Sequence, residues 1–172
     1  MIITVDYIRK YRPLAKNICD DRVNIYIREA EQIDILPAIG AELYKKFSQL
    51  GDILVDEKQL GDEEYKLLNG GYYTDDCGTE QFFEGLKAAL AYLAYARFIR
   101  NHSTNVTTYG VVVKTGEDST PADARTISAA ALDAQRIGED YLAAAVRYWK
   151  YATECSRPAK SVSRPRFVPI GN

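Results

Sequence analysis

Histidine is almost missing from this chain of 172 residues; the one it has is His102. Within one subunit that leaves no histidine pair to hold a metal, and a single imidazole to serve any serine or cysteine nucleophile. His102 closes a long helical stretch and reads as a surface position. Cysteine is scarce as well. Cys19, Cys77 and Cys155 lie far apart, form no CxxC, and leave one thiol over in any intramolecular pairing. Reduced thiols in a cytosolic protein are therefore expected, with oxidising conditions met only by a particle that later leaves the cell. There is no GxxxxGK[ST] loop and no GxGxxG, which excludes the common phosphate cradles. The opening MIITVDYIRKYRP mixes acids and bases and has no apolar core segment, so neither a secretory leader nor a membrane span is expected there.

A strong net charge is also lacking. The formal charge is −2 and the isoelectric point about 5.5, a poor balance for a general nucleic-acid binder. The distribution is uneven. From Arg147 onward six bases face one acid, Glu154, giving +5, so residues 1–146 carry −7. Any contact with phosphate or with an acidic protein face would fall to this basic tail.

Apolar residues make up 47% and charged residues 27% of the chain, the profile of one globular domain. A short helix is expected over Thr4–Tyr11, with Thr4 as its cap and Pro13 closing it. A second begins at Asp20 or Asp21, and its buried stripe runs through Val23, Ile27 and Ala30 towards Ile33 and Asp34. Pro37 restarts or kinks the path, and Leu36, Ile39, Leu43 and Phe47 supply the next buried face. Asp62 is expected to cap a small helix over Glu63–Leu68 that Gly70 and Gly71 end. YYTDDCG reads as a turn-rich loop whose Tyr72 and Tyr73 are available to a partner, and Thr79 as the cap of a helix over 80–101. That helix contains GLKAALAYLAYARFI, apolar nearly all round, with Phe82 among its core-facing residues; such a helix belongs inside a bundle or at an interface. TTYGVVVKT, rich in β-branched residues, reads as an extended segment or hairpin arm. STPADAR starts a final helix running to about Cys155, with Thr120 as cap and Pro121 in the first turn. Its seam of Ile127, Ala131, Ala134, Gly138, Tyr141, Ala145, Tyr148 and Ala152 is mostly small, so a partner helix can lie close. Leu142, Val146 and Trp149 form a second seam.

Catalytic constellations are sparse. Glu31 with Asp34, and Glu80 with Glu84, have helical steps that could hold Mg²⁺ in a small all-α nucleotide pyrophosphatase. Solvated faces account for such pairs equally well in a chain with 24 acids. Cys77 beside Asp75 and Asp76 reads as a turn residue. Most of the 13 tyrosines fall on expected buried seams; those left outside fit protein contacts better than base stacking. A regulatory or DNA-binding helical domain acting through the basic tail is the remaining alternative.

The order of DDRVNIYIREAEQIDILPAIGAELY, LLNGGYY, GLKAALAYLAYARFI, TTYGVVVK and a last long helix resembles the head–tail connector (head-completion adaptor) proteins of tailed bacteriophages and prophages, especially those of phages of gut Bacteroidales. The resemblance spans residues 1–155. It implies an all-α bundle with two long central helices and a small extended or β-hairpin arm between them, followed by an extended basic arm over 156–172. It also implies a structural role without catalysis, cofactor or metal: copies form a ring between the portal protein and a downstream neck or tail protein. DNA passes through the channel without sequence-specific binding, and no membrane is involved. Assembly would take place in the host cytoplasm, and the final location would be the virion neck. Partner contacts are then expected at Tyr109, Val111, Val113 and Lys114 on the arm between the helices. At the C-terminus they are expected at Arg164, Arg166 and Phe167, where Phe167, Val168 and Ile170 are unusually apolar for a tail.

Overall fold

Ten of the seventeen residues of α6 (Gly85–Asn101) are buried, and the rest of the chain is arranged around them. The computed structural model describes residues 1–52, 60–75, 77–101, 104–107, 110–113 and 123–155. It is mostly helical. In chain order come α1 (Val5–Tyr11), α2 (Asp20–Ala30), a π-helical turn (Glu31–Ile35), α3 (Leu36–Ile39), α4 (Ala41–Asp52), α5 (Asp62–Asn69), β1 (Gly71–Thr74), β2 (Glu80–Phe83), α6, β3 (Thr104–Thr107), β4 (Gly110–Val113) and α7 (Ala124–Cys155). The strands form two separate antiparallel ribbons, β1 with β2 and β3 with β4. Among the described residues no helix is long and apolar enough to cross a membrane.

The all-round apolar character of α6 is explained by what surrounds it. The 32-residue α7 runs along one side; α2, α5, α1 and the π turn cover others. Small side chains let α7 come close: Ala131, Ala134, Ala145 and Ala152 are buried on its seam. Gly138 marks the tightest point, because a Cβ there would stand 2.8 Å from Leu93 Cγ and 3.1 Å from the Leu93 backbone nitrogen. Glycine costs a helix interior roughly 1 kcal/mol relative to alanine, and the close approach of the two backbones is what it provides in return. Ile127 and Tyr141 on the same seam, and Leu142, Val146 and Trp149 on the second, are half-buried.

Several local expectations are corrected. The stripe on α2 does not continue to Ile33, which is 58% exposed. A π turn widens the helix to i→i+5 bonding, which adds a residue to the local repeat and shifts the buried register. Glu31 and Ile35 become the inward positions, while Asp34 is half-buried. The turn ends two residues before Pro37, which lacks the amide needed to continue a regular ladder. The helical path breaks three residues after Pro37, at Gly40, whose φ of 83° is a conformation glycine adopts cheaply. Thr4 occupies the cap position of α1 but its side chain makes no capping bond. At α5 the cap is Gly61, and Asp62 lies in the first turn with Glu63 and Glu64, where carboxylates favour the exposed amides.

The largest correction concerns residues 71–85. Glu80–Phe83 is a strand, not the first turn of α6, and Thr79 lies in the loop before it. The register is Gly71 with Phe83, Tyr72 with Phe82, Tyr73 with Gln81, and Thr74 with Glu80. Phe82 is consequently 54% exposed rather than core-facing. The second ribbon lies between α6 and α7, as expected for the arm. Its strands pair with each other as a hairpin, Val111 opposite Val106 and Val113 opposite Thr104. Tyr109, Lys114, the expected cap at Thr120 with Pro121, and Arg164, Arg166 and Phe167 of the C-terminal arm lie outside the described residues.

Candidate functional site

Asp75 builds the tip of the first ribbon. Its Oδ1 accepts the backbone N–H groups of Cys77 (3.0 Å) and Thr79 (2.9 Å), and its Oδ2 accepts Gln81 Nε2 at 3.3 Å. Its own amide donates to the Thr79 carbonyl at 2.9 Å. A carboxylate that gathers the turn in this way fixes the register of both strands. Side chains alternate across a ribbon, so Tyr73 and Phe83 share the inner side and Tyr72 and Phe82 the outer.

The inner side is packed. Phe83 stacks on Tyr148 of α7 at 4.5 Å between ring centroids, and Tyr73 sits 5.2 Å from Tyr148 and 5.5 Å from Tyr151. The Tyr148 hydroxyl donates to Glu63 of α5, joining α5, the ribbon and α7 at one point. Burial, then the neighbouring Glu63 carboxylate, pushes the Tyr148 phenol well above its ordinary value near 10. The folded state thus keeps Tyr148 protonated where the unfolded chain would lose that proton. Stability should be insensitive to this group below about pH 10 and fall as pH rises beyond it. Urea titrations between pH 8 and 11 should show that alkaline loss, and Tyr148→Phe should lessen it while costing about 1 kcal/mol at pH 8.

The outer side is bare. Tyr72 is 62% exposed, directly opposite Phe82, and their rings lie 4.9 Å apart. Glu80 and Thr74, also exposed, complete this face, which therefore carries one carboxylate and no base. Along the flank of the ribbon Arg147, Lys150 and Glu154 of α7 face Tyr73, Asp75 and Gln81 across a groove of about 510 Å³. Two large aromatic side chains set side by side in water on a paired and anchored ribbon form a candidate contact surface.

Several polar contacts, from the surface to the core, join the helices of the bundle. Arg97 of α6 bonds both carboxylate oxygens of Asp34 through Nη2, at 2.9 and 2.7 Å. Arg12 lies over the Tyr92 ring at 5.2 Å and bonds Asp133 of α7 at 2.9 Å. Buried Glu31 accepts the Ile2 amide at 2.5 Å and the Tyr44 hydroxyl at 3.2 Å. These contacts bear directly on the candidate carboxylate pairs. Glu31 and Asp34 turn to different partners, and Glu80 and Glu84 are not on one helix, because Glu80 belongs to β2. Among the described residues no three His, Cys, Asp or Glu side chains converge as a metal-ligand group. Cys19 and Cys77 are free and exposed.

Of the expected contact residues, Val111 and Val113 lie on β4, while Tyr109, Lys114, Arg164, Arg166 and Phe167 fall outside the described residues, as does His102. The expectation of partner contact at Tyr72 and Tyr73 divides: Tyr72 faces out and Tyr73 packs inward. The outward place of Phe82 is hidden in the sequence because its segment fits the helical pattern of residues 80–101. The signal was present, since two short aromatic-rich runs flank an Asp/Gly turn.

Comparison with known proteins finds one family, described as a family of unknown function (DUF6712), which matches residues 35–152 and so takes in the ribbon, α6 and nearly all of α7. No curated protein and no solved structure matches.

Proposed function

The chain belongs to DUF6712, and for this member we propose a structural role: a phage head–tail adaptor whose copies assemble as a ring between the portal protein and the next neck or tail protein, around a channel for DNA. The observation that carries this reading is the ribbon with Tyr72 and Phe82 presented outward, anchored by Asp75 at its tip and by Tyr148 beneath. Tyrosine and phenylalanine held in this way are typical of protein interfaces. The chain resemblance described above supplies the setting. In it, α6 and α7 are the two long central helices, the second ribbon is the arm between them, and residues 156–172 form the basic arm that grips the portal or a neighbour. The role needs no cofactor. Its site of action is the host cytoplasm during assembly and the virion neck thereafter.

The test is co-expression with the portal protein from the same genome, followed by size-exclusion chromatography and negative-stain microscopy. A ring of this chain seated on the portal is expected. Tyr72→Ser combined with Phe82→Ser should leave the chain folded and remove it from the portal fraction. A wild-type chain that elutes alone in the presence of assembled portal would overturn the reading.

A further inference from the structure

A second surface has the complementary character to the ribbon. Ile18, Ile25, Tyr26 and Phe98 line a groove of about 510 Å³ whose rim carries Cys19 and Arg22. Ile25 is 57% exposed, and Tyr26 meets Phe98 edge-on at 5.8 Å, giving the groove an aromatic floor. Among the described residues its lining includes one guanidinium, Arg22, and no acid. The ribbon's outer face has two aromatic rings, one carboxylate and no base. The two surfaces also stand at opposite ends of α6. The ribbon leads into Gly85, whereas the groove is closed by Phe98 and Asn101, about 20 Å further along at 1.5 Å per residue.

We infer that the outer face of the ribbon docks into this groove on a second copy of the chain, Tyr72 and Phe82 against Ile25 and its neighbours, with Glu80 meeting Arg22. This names the self-contact that the adaptor reading requires and rests on that reading. A contact between unlike patches at opposite ends of one molecule is head-to-tail, the type that closes into a ring or runs on as a filament. Its strength follows from its size. Two aromatic side chains cover about 150–250 Å² each, so with the groove side the contact reaches on the order of 600–1,000 Å², below the roughly 1,200–2,000 Å² of a stable interface. Free chains should therefore meet only transiently and remain together once a third surface aligns them.

A disulfide trap reads a transient contact. Cys19 is one helical turn from Arg22, and Thr74 is paired with Glu80, so docking brings positions 19 and 74 of two copies side by side. One pool keeps Cys19 with Cys77→Ser and Cys155→Ser; the other has all three cysteines changed to serine and adds Thr74→Cys. Mixed under copper–phenanthroline, they should give the 19–74 dimer about tenfold faster than a pool carrying Leu132→Cys instead, an equally exposed control on α7. Glu80→Arg in the second pool should slow trapping, and Arg22→Glu in the first should restore it. Tyr72→Phe should keep it and Phe82→Ser should reduce it to the control rate. Equal rates at 74 and 132, or no recovery with the charge swap, would overturn the inference. The two proposals fail separately. Rings on the portal without the 19–74 trap would leave the adaptor standing with a different contact. A trap between free chains that never join the portal would remove the adaptor and leave the pairing.

Discussion

Gly85→Ala is expected to lower stability by about 4 kcal/mol, enough to leave a marginal domain largely unfolded. Two effects add. Gly85 has φ of 82°, and any L side chain there costs roughly 1–2 kcal/mol. The larger share is contact. A Cβ at Gly85 would lie 2.4 Å from the Gly70 nitrogen, 2.6 Å from the Asn69 carbonyl carbon and 2.8 Å from the Leu68 oxygen. These are backbone atoms at the end of α5, and Gly70 leans back just as closely, with its own Cβ position 2.5 Å from the Phe83 oxygen. The end of α5, the base of the ribbon and the start of α6 thus meet glycine to glycine, and none can yield without displacing a buried element. Gly78 provides the control. Its φ is 76°, yet nothing lies within 4 Å of the added carbon, so Gly78→Ala should cost only about 1 kcal/mol. Urea midpoints for the two variants separate the backbone effect from the steric one. Similar losses would mean that the glycine contact is not what holds the ribbon to the bundle.

The same junction separates what local pattern encodes from what only tertiary contact decides. Helices with a one-sided or all-round apolar pattern were legible because burial imposes period 3.6, and the seam from Ala131 to Ala152 could be written down before any coordinate. The ribbon was half legible. Its turn residues read as a loop, but only Glu84 and Gly85 part QFF from an apolar helix, and Phe82 falls in step with the helical pattern. What separates strand from helix there is the left-handed Gly85, whose necessity comes from its contact with Gly70, a partner fifteen positions earlier that local pattern does not reveal. The π turn was illegible for a related reason. An added residue leaves no composition signature, and its effect is felt only as the exchange of Ile33 for Ile35 in the core. The candidate site depended on both ends of the ribbon, so its outward pair of rings became visible only once the register was known.

The π turn leads to the second large effect, at Glu31. Glu31 is 2% exposed, a carboxylate placed inside by the shifted register, and two donors depend on it: the Ile2 amide and the Tyr44 hydroxyl. Glu31→Ala would orphan the Ile2 amide, deprive Tyr44 of its acceptor and open a cavity. Unsatisfied buried donors cost about 1–3 kcal/mol each, so a total loss of about 3 kcal/mol is expected. The Gln32 amide donates to the Tyr44 hydroxyl at 3.2 Å and so does not replace the acceptor that Glu31 supplies. Ile2 and Ile3 are buried at 7% and 4% exposure, and the Glu31 bond is what ties their backbone to the turn. Exchange of the Ile2 and Ile3 amides should therefore accelerate before the rest of the bundle loosens. Glu31→Gln, which retains a carbonyl acceptor, should recover about half of the loss. A spectroscopic reading accompanies the thermodynamic one. Burial, then the charge and hydrogen bond of Glu31, raise the Tyr44 phenol above its ordinary value, so Glu31→Ala should move its alkaline titration downward, followed at 295 nm against a Tyr44→Phe reference. If Glu31→Ala left both the amide exchange and the Tyr44 titration unchanged, the π turn would have to be explained by the path into Pro37 alone.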